Sequence, residues 1–134
     1  MGSAAAALRQ YRQTGVAAAL EDASPHRLIA LLLQGAIDRV TQAGFAIQRG
    51  AWAEKGRLIG ESMSIIDALR AALNREAGGA VAEGLWSLYD YISRRLAQAS
   101  AGNDVALLDE VGRLLREIRD AWDAVGHAPA PRAP

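Results

Sequence analysis

The sequence predicts an all-α protein, an antiparallel up-down four-helix bundle preceded by a short N-terminal leader. Three observations carry that prediction. Apolar residues recur at spacings of three and four along four long runs, and no stretch alternates as a half-buried strand does. Glycine, proline and capping residues punctuate the chain between those runs. Runs of ~20–25 residues make helices ~30–37 Å long, and short connections between them force neighbours to run antiparallel.

The elements follow in order. Residues 1–23 read as the leader, 24–126 as the bundle and 127–134 as a tail. Ser24-Pro25 is a helix start, because the serine hydroxyl accepts from a free amide and proline at the first position forfeits an N–H that had no partner. The first helix runs to about Arg49 on the stripe Ile29, Leu33, Ala36, Val40 and Ile47, and Gly50 ends it in a left-handed conformation. Trp52 opens the second, which runs to about Glu76 on Ile59, Ile66, Leu69 and Leu73, widened by Leu58 and Ile65. Gly78-Gly79 breaks the chain, and a third helix spans about Ala80 to Ser100 on Val81, Leu85, Leu88, Ile92, Leu96 and Ala99. Gly102 ends it and Asn103 caps a fourth, carried to about Val125 by Leu108, Val111, Leu115, Ile118, Trp122 and Val125 and stopped by Gly126. The closing "HAPAPRAP" alternates proline with small residues and reads as an extended, disordered tail.

Composition removes whole classes of function. The chain has 134 residues, enough for one domain with one modest core. Its longest apolar run, "LIALLL" at 28–33, falls far short of the roughly 18 residues that span a bilayer. "MGSAAAAL" carries neither the basic nor the apolar region of a signal peptide, so a cytoplasmic protein with no membrane insertion is expected. Fifteen basic and fifteen acidic residues are interspersed, which leaves no electrostatic footprint of a nucleic-acid binder. The absence of cysteine excludes disulfides, thiolate metal sites and thiol nucleophiles.

No stretch reads as an active site. In "LWSLYDYISRRL", residues 85–96, the helical wheel puts Leu85, Leu88, Ile92 and Leu96 on the core line, with Trp86 and Tyr89 on one shoulder and Tyr91 and Arg95 on the other. Asp90 and Arg94 face outward as an acid-before-base pair. No general base or nucleophile accompanies the aromatics. A di-metal carboxylate bundle needs Glu-x-x-His pairs, but Ala23 and Ala124 stand three residues before His26 and His127. No catalytic residue, cofactor or metal is expected, and the histidines read as solvated or capping groups at helix ends.

The informative feature is surplus apolar surface. Leu28, Leu31 and Leu32 lie off the first stripe with Gly35 one turn later, Phe45 points away from it, and Leu107, Leu114 and Ala121 broaden the fourth. A helix apolar all round is enclosed or waits for a partner. Leu28, Leu31, Leu32, Gly35, Ile65, Leu107 and Leu114 are therefore the candidate lining of a partner groove, chiefly on helices one, two and four. The leader supplies an occupant. "ALRQYRQTGV" sets Leu8 and Tyr11 on one face of a segment too short to hold a helix alone, so it must dock reversibly or stay disordered.

From Leu8 to Trp122 the chain resembles the flagellar secretion chaperones, the FliS family. The resemblance rests on "YRQTGV", "ASPHRLIALLLQGAI", "AGGAVAEGLWSLYDYISRRL" and "LLDEVGRLLREIRDAW" in that order. It implies a cytoplasmic, non-enzymatic chaperone whose hydrophobic grooves bind the disordered C-terminal segment of flagellin as a helix. That binding prevents premature polymerisation, and the complex is delivered to the flagellar type III export gate protein. It also implies that Leu8 and Tyr11 cover a groove in the free chaperone and take part in gate docking. The aromatic run matches the family at Leu88, Tyr89, Asp90, Tyr91, Arg94, Arg95 and Leu96, whereas Leu33-Gln34-Gly35 stands where the family often has an aromatic-Asp-Gly. The expected state is a monomer or weak homodimer. The alternative from a different class is a structural or regulatory bundle that self-associates through the same apolar patches.

Overall fold

A computed structural model describes residues 24–127. They form four helices: α1 (Pro25–Gln48), α2 (Trp52–Ala71), α3 (Arg75–Gly102) and α4 (Val105–His127). The expectations for the leader and for residues 128–134 lie outside the described residues.

Local chemistry sets each boundary. The Ser24 hydroxyl accepts from the Arg27 amide at 3.1 Å and Pro25 occupies the first turn, so α1 starts as predicted. Gly50 follows its end with φ +71°, where a side chain would be strained. The second helix is shorter than predicted and stops at Ala71. Asn74 accepts from the Ala77 amide at 3.1 Å, and that cap starts α3 at Arg75 rather than Ala80. The predicted break survives inside α3 as a kink at Gly79, whose φ of 54° and ψ of −132° fit no helix. Arg75 and Glu83 bridge the kink with two hydrogen bonds of 2.8 and 3.0 Å. Asn103 takes a left-handed conformation and ends α3 instead of capping α4. The α4 cap is Asp104, whose carboxylate accepts from the Ala106 and Leu107 amides at 3.0 and 3.3 Å. Gly126 does not stop α4, which continues to His127.

The four helices form a square in which α1 and α3 each pack on both α2 and α4. Side-chain pairings fix their directions. His26 at the start of α1 meets Trp122 near the end of α4, and Lys55 at the start of α2 reaches the Ser100 carbonyl near the end of α3 at 3.0 Å. Both pairs therefore run antiparallel. Arg39 of α1 is bound to Glu61 of α2 at 2.8 Å, and Arg119 of α4 donates to Gln34 of α1 at 3.0 Å.

The core is one continuous cluster. Leu33, Ala36 and Val40 of α1 meet Leu58, Ile59, Ile65, Ile66 and Leu69 of α2, with Ile92 and Leu96 of α3 and Leu108, Val111 and Leu115 of α4. In α3 the buried line is Ala82, Tyr89, Ile92, Leu96 and Ala99. This corrects the wheel assignment, since Tyr89 lies in the core and Leu85 and Leu88 are only half-buried beside it. Lines through Leu88 and through Tyr89 both have helical spacing; the positions of α2 and α4 on either side of α3 choose the second.

Candidate helix-binding groove

Every stripe loses burial toward the same end of the bundle, where α1 and α3 begin and α2 and α4 finish. There Val81 is 73% and Val125 63% exposed, although periodicity assigns both to the core line. Ile29, Leu73, Leu85, Leu88, Ile118 and Trp122 are only partly covered. The unfilled end of the core is a groove of about 500 Å³. Ile29 and Leu33 line it from α1, Leu69 and Leu73 from α2 and the segment after it, Val81, Leu85, Leu88 and Tyr89 from α3, and Leu114, Ile118, Ala121, Trp122 and Val125 from α4. Glu117 is the one charged side chain among these described lining residues.

Polar contacts hold the walls in place. The His26 ring stacks on the Trp122 indole with centroids 4.6 Å apart and planes 7° from parallel. Its Nε2 lies 2.8 Å from the Trp122 carbonyl, while Trp122 Nε1 donates to the His26 carbonyl at 2.9 Å. Gly126 makes room for this clasp, because a Cβ there would sit 2.2 Å from the imidazole. His26 is therefore not a solvated or free capping group, a correction to the expectation for it. Across the groove, Trp86 is flanked by the guanidinium of Arg70 at 5.5 Å and of Arg75 at 4.9 Å, which ties α2 to the kinked start of α3. Arg70 also reaches Asp90 at 3.4 Å, so the outward Asp90–Arg94 pair, 3.3 Å apart, has a cross-helix partner as well.

Tyr89 differs from Tyr91 and Trp122. It lines the groove at 3% exposure, and no hydrogen bond among the described residues reaches its hydroxyl. Burial pushes its pKa up to about 12, so the phenol stays protonated at neutral pH. Tyr91, by contrast, donates to Glu110 of α4 at 2.8 Å.

Of the residues named from sequence, Leu114 lines the groove. Leu28, Leu31 and Leu107 pack partly buried against the core outside it. Leu32 and Ile65 are core residues, and Gly35 is buried in α1. Leu8 and Tyr11 lie outside the described residues. Periodicity alone assigns Val81, Leu85 and Leu88 of α3 to the core stripe rather than to a groove. The available signal was position: Leu73, Val81 and Leu85 flank Gly78-Gly79, and Trp122 and Val125 close the last apolar stripe, so all gather at one end of an up-down bundle. A second, smaller cleft of about 180 Å³ lies between α1 and α4 at the other end, with Gly44, Gly112 and the exposed Phe45 in its lining.

Among the described residues no group of three or more His, Cys, Asp or Glu side chains is placed to hold a metal ion, and no helix is long and apolar enough to cross a membrane. The family model described as "Flagellar protein FliS" matches residues 5–129. The chain belongs to the FliS family. It is 47% identical over 121 residues to the flagellar secretion chaperone FliSB of Pseudomonas aeruginosa, covering 90% of this chain and 96% of that one. The flagellar secretion chaperones FliS of Vibrio cholerae and Salmonella typhimurium are 39% and 38% identical, with 88% and 90% of this chain and 87% and 90% of theirs covered. The role shared by these FliS proteins, flagellar secretion chaperone, is not enzymatic, in keeping with a groove lined by hydrocarbon.

Proposed function

We propose that this FliS-family chain is a cytoplasmic export chaperone that holds the disordered C-terminal segment of flagellin as an amphipathic helix, prevents its premature polymerisation, and delivers flagellin to the flagellar type III export gate. The observation that carries this reading is the groove itself, an apolar trough of about 500 Å³ running along α3 and α4. Helix-in-groove recognition reads apolar anchors at i, i+3, i+4 and i+7 and needs no catalytic group. Ordering a disordered segment costs ~2–5 kcal/mol or more, which burial of apolar area at ~25 cal/mol per Å² offsets. Lining of leucine, valine, isoleucine and tryptophan supplies that area.

Within this reading Leu114 contacts the bound segment in the groove and Leu28, Leu31 and Leu107 extend the contact surface, while Leu32, Gly35 and Ile65 shape the core beneath it. Leu8 and Tyr11 cover the groove in the free chaperone, a monomer or weak homodimer, and take part in gate docking. The test is calorimetric titration with full-length monomeric flagellin from the same genome and with the same flagellin cut before its C-terminal segment. Loss of binding on truncation is expected, and equal affinity for both would sink the reading. Leu85→Asp should abolish binding while the bundle still melts cooperatively. Sedimentation of the chain alone separates this from self-association, which predicts a dimer that Leu85→Asp dissolves.

A further inference from the structure

A polar group that a docking partner covers must exchange its water for a hydrogen bond, or its desolvation weakens binding. In this bundle the indole of Trp122 and the phenol of Tyr91 both have partners, at 2.9 and 2.8 Å. The Tyr89 hydroxyl has none among the described residues, yet it is not one of the buried side-chain atoms left without a partner, so the groove whose wall Tyr89 forms leaves it within reach of water. We propose that Tyr89 is the specificity-determining residue of the groove, donating one hydrogen bond to an uncharged side-chain oxygen of the helix that docks there. This rests on the helix-binding reading given above.

The chemistry of the partner group follows by elimination. Burial keeps the phenol protonated, so Tyr89 retains an O–H whose hydrogen needs an acceptor once water is displaced. The backbone carbonyls of a docked helix each already accept one bond within that helix and lie behind its side chains, so a side-chain oxygen meets the groove wall first. A carboxylate would enter an apolar trough whose one charged lining residue is Glu117, so desolvation and like charge both oppose it. The acceptor is therefore the amide of Asn or Gln or the hydroxyl of Ser or Thr, with apolar anchors three or four residues to either side. Apolar burial holds the helix, and this bond sets its register, because a helix shifted by one residue points a hydrocarbon side chain at the hydroxyl.

Titration with full-length monomeric flagellin tests it. Tyr89→Phe should melt at the same temperature as the parent or higher, since no internal hydrogen bond is lost, yet bind flagellin roughly 3- to 10-fold more weakly. Each Asn, Gln, Ser and Thr in the flagellin C-terminal segment is then changed to Ala. One of these changes should weaken binding to the parent by the same factor and add nothing in the Tyr89→Phe background. The scan on the parent chain reads the contact independently of how the variant folds. Equal binding of Tyr89→Phe and the parent, or a loss coupled to none of those residues, overturns the role of Tyr89 and leaves the groove standing. Undiminished binding by Leu85→Asp overturns the groove and this inference together.

Discussion

The two ends of the bundle are built from the same apolar period and reach opposite outcomes. At the end where Gly50 and Asn103 turn the chain, Ala43, Ala46 and Ala99 are completely buried beside Leu58, Ile59 and Leu108. Alanines at helix seams let backbones approach, so large residues from the facing helices fill the remaining space. At the other end the seam residues are Leu69, Leu73, Leu85, Leu88, Tyr89, Leu114, Ile118 and Trp122, and the kink at Gly79 redirects the first turn of α3. Ala68 and Ala82 are buried at this end too, but the apolar residues beyond them are not closed over by a facing helix, and a trough remains. The contrast teaches that one hydrophobic stripe serves as core or as docking surface according to whether the facing helices close over it.

That contrast can be broken in order of expected effect. Leu96→Ala removes a fully buried side chain of the tight half and should cost ~2–5 kcal/mol in a denaturant titration, whereas Leu88→Ala in the groove wall should cost about 1 kcal/mol or less. Equal losses would mean that both ends are packed alike. Gly126→Ala drives a methyl into the His26 imidazole and should separate it from Trp122, at a cost of about 1–3 kcal/mol and with a change in tryptophan fluorescence. An unchanged emission spectrum would show that the clasp does not depend on that glycine.

Alkaline pH probes Tyr89 more gently. Its folded pKa of about 12 lies above the ordinary 10.0, so the folded state holds its proton longer than the unfolded one. The stabilisation is complete below pH 10 and is lost as pH rises toward 12, amounting to about 1 kcal/mol by pH 11. Phenolate absorbance should contain a component near pH 12 that Tyr89→Phe lacks. The smallest effect is expected at the kink. The Arg75 guanidinium holds the Glu83 carboxyl below its usual range. A depressed carboxylate stabilises above its unfolded pKa and loses that contribution as pH falls through the folded value, so acid should loosen the Arg75–Glu83 staple. Amide exchange around Gly79 should rise on acidification in the parent and already be raised at neutral pH in Glu83→Gln.

Much of this was legible beforehand. Ser24-Pro25, Gly50 and the stripe residues Leu33, Val40, Ile66, Ile92 and Leu115 play the parts that capping chemistry and helical period assign them. The misread positions share a cause. Asn74, Asn103 and Asp104 lie within short connections that hold several residues able to cap, and which of them caps depends on where neighbouring helices set the ends. His26 and Trp122 are separated by nearly the whole chain, so no local pattern relates them. A wheel places Leu32 and Ile65 at the margins of their apolar faces, and in a square bundle each helix has two neighbours that bury such margins.

The sequence by itself determined the helical class, the number of long runs, the lack of catalytic chemistry and the family, because periodicity, punctuation and motif order are properties of residues near one another in the chain. The tertiary structure alone decided where the core stops. Whether Tyr89 or Leu88 turns inward, and whether Val81 and Val125 find a partner, depends on distances between helices, and those are set jointly by side chains far apart in sequence. The groove exists because the stripes run on past the point where four helices can enclose them.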